Sequence, residues 1–162
     1  MLQFMPAGTE DVIALTAISK HAFDSDAEVG VPSAGGPPGY SSAGFYNKMS
    51  NGKHLYKLMK DGLTVGGAVL FRDGDKMNIG RIFVEPKHFR KGLGSFIMRQ
   101  IEEQFPDVSL FALDTPLWNT RTNRFYQKLG YTEYKRDDEF AYYVKKIDPD
   151  KFVEGSTKAA RR

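Results

Sequence analysis

Two elements of different periodicity meet in the stretch IFVEPKHFRKGLGS, which spans residues 82–95. The β-branched and aromatic residues before Pro86 predict a strand. The segment after the glycines predicts a helix, because apolar residues recur at every fourth position and form one stripe, namely Leu93, Ile97, Ile101 and Phe105. A strand that passes through a short glycine loop into a helix is therefore the first part of the fold that the sequence predicts.

The loop between the strand and the helix carries two glycines and several basic side chains. Gly92 and Gly94 remove side chains where the backbone must turn tightly or lie close to another group. The first turn of a helix has free N–H groups and a partial positive charge, which suits a phosphate. Lys87, Arg90 and Lys91 add full positive charges. The loop thus predicts a pyrophosphate cradle, although a plain strand-to-helix turn with solvated lysines would have the same composition.

Two better-known phosphate loops do not fit this stretch. The dinucleotide fingerprint has a third glycine three residues after the second, and Ile97 stands at that position. The P-loop has a lysine directly after its last glycine, whereas Gly92 is followed by Leu93 and Gly94 by Ser95. A phosphate bound here would therefore be held by a loop of another class.

The composition excludes several classes of protein. The 162 residues are 41% hydrophobic and 13% aromatic, so we expect one globular domain over residues 1–147 and a polar, basic tail over 148–162. The lack of cysteine excludes disulfides and thiol catalysis, and the histidines show no metal-ligand spacing, so we expect no metal. The sequence shows neither a membrane span nor a signal peptide, which predicts a cytoplasmic protein.

Strand and helix signals alternate along the chain. Seven segments carry strand signals: 2–5, 54–60, 63–72, 76–84, 109–113, 131–136 and 140–146. Four carry helix signals: about 10–20, 42–51, 93–105 and 120–129. The predicted fold class is α/β, with a mixed central sheet of about seven strands and helices on both faces. A cleft is expected where antiparallel pairing gives way to a parallel crossover.

Two details of the strands decide which side chains face the expected cleft. In the strand over 76–84, simple alternation places Met77, Ile79 and Phe83 on one face. The next strand is expected to end at Leu113, which leaves Asp114 in the turn that follows.

The second informative segment is NTRTNRFYQKLGY, residues 119–131. Asn119 is a good cap for the helix over 120–129, and Asn119, Thr122 and Tyr126 line up along one side of it. A tyrosine beside polar partners at a cleft can donate a proton. The alternative from spacing alone is a half-buried tyrosine with its hydroxyl in water.

Taken together, the two segments resemble the GNAT superfamily of N-acetyltransferases. The pyrophosphate loop of that family reads Arg or Gln, two residues, Gly, one residue, and Gly or Ala. Here it is Phe89-Arg-Lys-Gly92-Leu-Gly94, with Phe89 in the lead position. The second signature is an Asn followed seven residues later by Tyr, then by Gly and an aromatic, and it is complete: Asn119, Tyr126, Gly130 and Tyr131.

The resemblance covers about residues 60–146 and implies acetyl-CoA as a co-substrate. Phe83 and Val84 would bind the pantetheine arm through backbone hydrogen bonds, as an added strand would. Asn119 would contact the pantetheine or order its loop. The pyrophosphate would be held by the loop and the first helical turn, that is by Phe89, Arg90, Lys91, Gly92, Leu93, Gly94 and Ser95.

The implied chemistry is direct attack of a neutral amine on the thioester. Tyr126 would protonate the departing CoA thiolate, and the backbone N–H of Val84 would stabilise the carbonyl oxygen. A base must take the proton of the ammonium group. Glu85 and Asp114 are the candidates, and Asp114, acting through water, is preferred. The alternative for Asp114 is a solvated carboxylate.

The acceptor is expected to be a primary amine of a small molecule or a peptide. Asp24, Asp26 and Glu28 precede a long loop that, by the resemblance, borders the acceptor, and an acidic rim would attract a cationic amine. A solvated run of charges is the alternative reading of these residues.

Two functions of other classes compete with the enzyme. One is a module that binds acyl-CoA and senses it without turnover. The other is a basic nucleic-acid adaptor, which the net charge of only +3 disfavours. We therefore expect no nucleic acid and no membrane as a partner, and either a monomer or a homodimer.

Overall fold

A mixed sheet of seven strands organises the part of the chain that the structure describes, residues 1–26 and 35–148 of this computed structural model. In chain order the strands are β1 (Leu2–Pro6), β2 (Leu55–Lys60), β3 (Leu63–Asp73), β4 (Lys76–Val84), β5 (Leu110–Pro116), β6 (Thr132–Arg136) and β7 (Phe140–Lys146). Their order across the sheet is β1-β2-β3-β4-β5-β7-β6. Only β4 and β5 pair in parallel in this part of the chain, so the predicted mixed sheet is confirmed.

Helices cover both faces of this sheet, as predicted. The α-helices of the described residues are α1 (Val12–Asp24), α2 (Ala43–Asn51), α3 (Leu93–Gln104) and α4 (Thr120–Lys128). α1 and α2 bury one face around Leu15 and Tyr46, whereas α3 and α4 bury the other around Ile97 and Phe111. No helix in residues 1–26 and 35–148 is long and apolar enough to cross a membrane.

The starts of α2 and α4 follow from side-chain caps. The Ser42 hydroxyl accepts a hydrogen bond from the Phe45 N–H at 3.1 Å, and the Asn119 side-chain oxygen accepts one from the Thr122 N–H at 3.1 Å. Such caps satisfy amides that the helix itself leaves without a partner. Beyond α4, Gly130 adopts a φ of 92°, a left-handed conformation that glycine adopts at little cost.

A β-bulge in β4 overturns one prediction about its faces. Val69 of β3 pairs with Arg81, but the next residue of β3 pairs with Ile79, so Gly80 is left over in β4. The extra residue shifts the alternation by one position. Met77 and Ile79 consequently pack with α3 and α4, whereas Phe83 packs with α1 and α2. The prediction that Phe83 shares a face with Met77 and Ile79 was wrong for this reason.

β4 and β5 pair only at their starts, where Lys76–Asn78 lies beside Leu110–Ala112. Beyond this point β5 continues to Pro116, paired with β7 throughout. The predicted end of β5 at Leu113 was wrong, because the hydrogen bonds that extend the strand come from β7, more than 20 residues further along the chain. The separation of β4 from β5 opens the expected cleft.

Candidate active site

The cleft at the end of β4 has a volume of about 440 Å³. Its floor is the end of β4, and its walls are the end of α1 on one side and the start of α4 on the other. The glycine loop and the start of α3 close one end, which we call the loop end. Among the residues that line the cleft are Asp26, Phe83, Val84, His88, Phe89, Arg90, Gly92, Leu93, Gly94, Ser95, Arg121, Thr122, Phe125 and Tyr126.

At the loop end, the start of α3 presents backbone amides to the cleft. Gly92 is the N-cap of α3 with a φ of 76°, and no side chain caps this helix. The amides of Leu93, Gly94 and Ser95 have no acceptor four residues back within the helix, and all three residues line the cleft. A Cβ on Gly92 would meet no atom within 4 Å, so the space beside this cap residue is open. The arrangement suits an anion.

The second glycine has a different role from the first. A Cβ on Gly94 would lie 3.2 Å from the ring of Phe125, which is tighter than an ordinary contact. Gly94 therefore lets α4 pack closely against the first turn of α3. Gly92 is required by its left-handed backbone, and Gly94 by the closeness of a neighbouring helix.

Charged side chains surround the loop end. Arg90, with a left-handed φ of 65°, lines the cleft, and its neighbour Lys91 is exposed to solvent. His88 also lines the cleft, and desolvation of its ring, together with the charge of Lys91, lowers its pKa, so the imidazole is neutral at pH 7. The guanidinium of Arg121, from α4, lies over an aromatic ring of the loop, with its Cζ atom 5.3 Å from the centre of the Phe89 ring.

An ion pair joins the two walls of the cleft. Arg121 donates from Nη2 to Oδ1 of Asp26, the second residue after the end of α1, at 2.7 Å. Burial raises the pKa of the Asp26 carboxyl, while Arg121 and a hydrogen bond from the Asn119 side chain act in the opposite direction. The sequence predictions placed Asp26 on an acidic rim beside the acceptor and gave Arg121 no place in the cleft, so the ion pair between them was not predicted.

The rest of the predicted acidic rim lies elsewhere. Asp24 accepts hydrogen bonds from Lys20 at 2.6 Å and from the Tyr40 hydroxyl at 2.8 Å, and these contacts lower its pKa. Glu28 lies outside the described residues, as does the predicted tail beyond residue 148. Of the predicted rim, only Asp26 is seen to line the cleft.

Tyr126 lies further along the cleft from the first turn of α4. Its side chain is buried, and burial together with the negative charge of Asp114 raises the pKa of the phenol far above its ordinary value. The phenol therefore keeps its proton at neutral pH. Thr122 also lines the cleft, and its hydroxyl lies 2.6 Å from that of Thr115. Asn119 is buried and caps α4.

The two candidate bases do not line the cleft. Asp114 lies inside β5 opposite Tyr142, and its side chain is exposed. Its neighbours Leu113 and Thr115 are buried, and Leu113 packs in the α3 and α4 core, so alternation turns Asp114 toward the face that carries α1 and α2. Partial desolvation and the charge of Asp137 raise its pKa. Glu85 instead contacts the ring of His21, with 3.1 Å between Oε1 and Nδ1.

The residues at the cleft define a class of protein. Open amides at a helix start suit an anion, the open edge of β4 has room for an extended arm, and a protonated phenol lies further in. This combination suits an enzyme that transfers a group from a phosphorylated carrier. In residues 1–26 and 35–148, no cluster of three or more His, Asp or Glu side chains could hold a metal ion.

Comparison with known proteins gives the family. The model of the family described as Acetyltransferase (GNAT) family matches residues 22–131. The chain therefore belongs to the GNAT acetyltransferases, and the resemblance seen in its two sequence signatures is confirmed.

Individual relatives agree with this assignment. The uncharacterized protein YrkN of Bacillus subtilis (strain 168) is 33% identical over 84 residues, which are 49% of this chain and 45% of that protein. The chain thus matches less than half the length of this relative.

Solved structures show the same fold. The PaiA N-acetyltransferase of Thermoplasma acidophilum, solved in complex with coenzyme A, has a TM-score of 0.77 and 15% identity, covering 91% of this chain and 99% of that one. The ribosomal-protein-S18-alanine N-acetyltransferase of Escherichia coli has a TM-score of 0.69 and 16% identity, covering 91% and 95%. At such identities the likeness establishes the fold and leaves the acceptor open.

Proposed function

We propose that this protein transfers the acetyl group of acetyl-CoA to the nitrogen of a primary amine. The observation that carries the proposal is the uncapped start of α3, which opens into the same cleft as the buried phenol of Tyr126. One end of this cleft suits a diphosphate, and the other suits the chemistry of a thioester. Family membership supports acetyl transfer, and the amine acceptor is our own inference.

The co-substrate would lie along the open edge of β4. On one side, Phe83 and Val84 pair with Gly67 and Gly66 of β3, and on the other side the β4–β5 register ends at Asn78. An extended pantetheine arm can therefore add to β4 as a further strand would, through the backbone groups of Phe83 and Val84. Its diphosphate then reaches the amides of residues 93–95, with Arg90 and Lys91 nearby.

The transfer step needs alignment of the two reactants, a hydrogen-bond donor to the oxyanion and an acid for the leaving thiolate. The cleft aligns the thioester with the incoming amine, which lowers the barrier by several kcal/mol. We assign the backbone N–H of Val84 to the developing negative charge on the carbonyl oxygen. We assign Tyr126 as the proton donor to the departing thiolate, since its raised pKa keeps the phenol protonated at neutral pH.

For the base we keep Asp114, acting through water. Its carboxylate does not line the cleft, yet its charge is felt by the phenol of Tyr126. A carboxyl with a raised pKa is a better base near neutral pH than an ordinary aspartate. A water molecule between Asp114 and the amine would carry the proton over the remaining distance.

One observation favours a second candidate, a sensor that binds acyl-CoA without turnover. Neither predicted base lines the cleft, whereas the phosphate-binding elements do. A protein of this kind would keep the loop end intact and would not need a base.

Titration followed by a turnover assay separates these functions. We expect acetyl-CoA and CoA to bind, and free thiol to appear when spermidine, histamine, a peptide with a free N-terminus or a peptide with an internal lysine is added. Binding without thiol release for any primary amine would favour the sensor. Failure to bind CoA at all would contradict both functions.

A further inference from the structure

The family signature has Arg or Gln at the lead position of the loop, whereas this chain has Phe89 there. A guanidinium nevertheless lies beside this position. Arg121 reaches over from α4, and its Cζ atom lies 5.3 Å from the centre of the Phe89 ring. Arg121 also lines the cleft together with the amide-bearing residues 93–95. A neighbouring helix therefore places a guanidinium beside the lead position of the loop.

This guanidinium is engaged by an internal anion. Asp26 accepts a hydrogen bond from Arg121 at 2.7 Å and lies on the opposite wall of the cleft. The Asp26 side chain is 13% exposed and that of Arg121 is 45% exposed. Arg121 is thus the more exposed partner, and it has room to turn toward an incoming phosphate while Asp26 stays within the cleft wall.

The Asp26 carboxylate and a bound diphosphate cannot both lie beside Arg121 at low energy, because both are negatively charged. Like charges at short range repel strongly in a half-buried site. A diphosphate offers Arg121 more oxygen acceptors than the single one that Asp26 uses, and guanidinium groups bind phosphate well. A bound diphosphate should therefore displace Asp26 from Arg121.

We propose that Arg121 is a diphosphate-binding residue and that Asp26 competes with the phosphate for it, so that their ion pair bridges the cleft of the free enzyme. The proposal rests on the proposed function, in that the ligand is CoA. It predicts that the negative charge of Asp26 weakens CoA binding, although Asp26 forms a good ion pair in the free protein.

The neighbouring charges give the chain its own matched controls. Asp24 lies at the same helix end but is held by Lys20 and Tyr40. Arg124 follows Arg121 by three residues on α4 but lines a different pocket. Removal of either charge changes the net charge of the protein by the same amount without touching the cleft.

The test is titration calorimetry with CoA and with pantetheine, which lacks the diphosphate. We expect Asp26→Asn to bind CoA about three- to tenfold more tightly, since removal of one like charge at a half-buried site is worth roughly a factor of this size. Arg121→Ala should bind CoA about tenfold more weakly. Pantetheine affinity should stay unchanged in both variants, and so should CoA affinity in Asp24→Asn and Arg124→Ala.

A combined variant measures the competition directly. In the Arg121→Ala background, Asp26→Asn should strengthen CoA binding less than it does in the wild type, because no guanidinium is left to release. Raising the pH through the range in which the Asp26 carboxyl loses its proton should weaken CoA binding by the wild type more than by Asp26→Asn. The other charged or titratable groups around this part of the cleft are present in both proteins: Arg121, His88, Arg90 and Tyr126.

Several results would overturn the proposal. Unchanged or weaker CoA binding by Asp26→Asn would show that the pair only braces the two walls, and thermal unfolding would then report a matching loss of stability. Equal effects on CoA and pantetheine would exclude the diphosphate as the competitor. Asp26→Ser provides the same test should Asp26→Asn fail to fold. If neither the wild type nor Asp26→Asn binds CoA, the proposed function fails as well, whereas normal binding by both leaves that function intact and removes only this inference.

Discussion

The loop end of the cleft and its helix walls are built in different ways. At the loop end, one continuous segment, residues 89–95, presents backbone amides, and its geometry depends on a left-handed glycine. At the walls, side chains from α1 and α4 meet across the cleft, and Asp26 pairs with a residue 95 positions away in sequence. Local chain geometry therefore determines where an anion binds, and tertiary packing determines which side chains surround it.

The strongest test of this difference is to place a negative charge at the loop end. Gly92→Asp places a negative charge beside the open amides, and repulsion of the diphosphate by about 3 kcal/mol should weaken CoA binding about 100-fold. Gly92→Asn is the matched control, because asparagine has the same size, carries no charge and tolerates the left-handed region. Calorimetric titration measures both.

For Gly92→Asn we expect a loss of less than about tenfold, set by the backbone strain of a non-glycine residue at positive φ. Equal losses in the two variants would mean that backbone geometry, rather than the field at the start of α3, controls binding.

The next largest effect should come from the wall that carries Tyr126. Tyr126→Phe removes the proton donor and should lower turnover about 100-fold while leaving acetyl-CoA affinity unchanged. Tyr131→Phe is the control, since Tyr131 is also buried and donates to Glu102 at 3.3 Å outside the cleft. Steady-state thiol release gives both rates, and unchanged turnover in Tyr126→Phe would remove the proton-donor role.

The loop end was the part that the sequence predicted best. The glycine spacing and the stripe that starts at Leu93 act within one short segment, so their reading needed no knowledge of the rest of the fold. The Asn119 cap was predicted for the same reason, because its partner Thr122 is three residues away. Where partners are local, the residue pattern alone indicates the structure.

The predictions that failed depended on distant partners. Phe83 was placed on the wrong face because the bulge at Gly80 arises from the register with β3. A glycine inside a predicted strand is a signal for such a bulge, and it could have been used. β5 was predicted too short because β7 extends it. Nothing in the sequence near Asp26 indicates that it meets Arg121, since that contact depends on how α1 and α4 pack.

The pH dependence of turnover tests the role of the exposed Asp114 carboxylate as the base. Asp114→Asn should lower turnover about tenfold, less than removal of a base in direct contact, and should remove the acidic limb of the profile. Activity falls with falling pH on that limb because a protonated carboxyl cannot accept a proton. Asp114 has a raised pKa, so the limb should lie above the ordinary range of an aspartate.

Asp137→Asn tests the cause of that shift. The negative charge of Asp137 helps to raise the pKa of Asp114, so removal of that charge should move the acidic limb of the profile to lower pH. A limb that stays in place after Asp114→Asn would assign it to another group and would leave the base unidentified.

The smallest expected effect compares two helix caps. Ser42→Ala and Asn119→Ala should each lower the free energy of unfolding by about 1 kcal/mol, since each removes one N-cap hydrogen bond. Only Asn119→Ala should also weaken acetyl-CoA binding, by about threefold, because α4 carries Arg121 and Tyr126. Urea unfolding measures the stability, and titration measures the binding. Equal losses of acetyl-CoA affinity in the two variants would show that the position of α4 matters no more for binding than that of α2.

A structure of the complex with coenzyme A tests the central claim most directly. We predict that diphosphate oxygens lie about 2.7–3.2 Å from the backbone nitrogens at the start of α3, among Leu93, Gly94 and Ser95. The pantetheine arm should run beside Phe83 and Val84. A diphosphate bound elsewhere, with these amides left to water, would contradict the account.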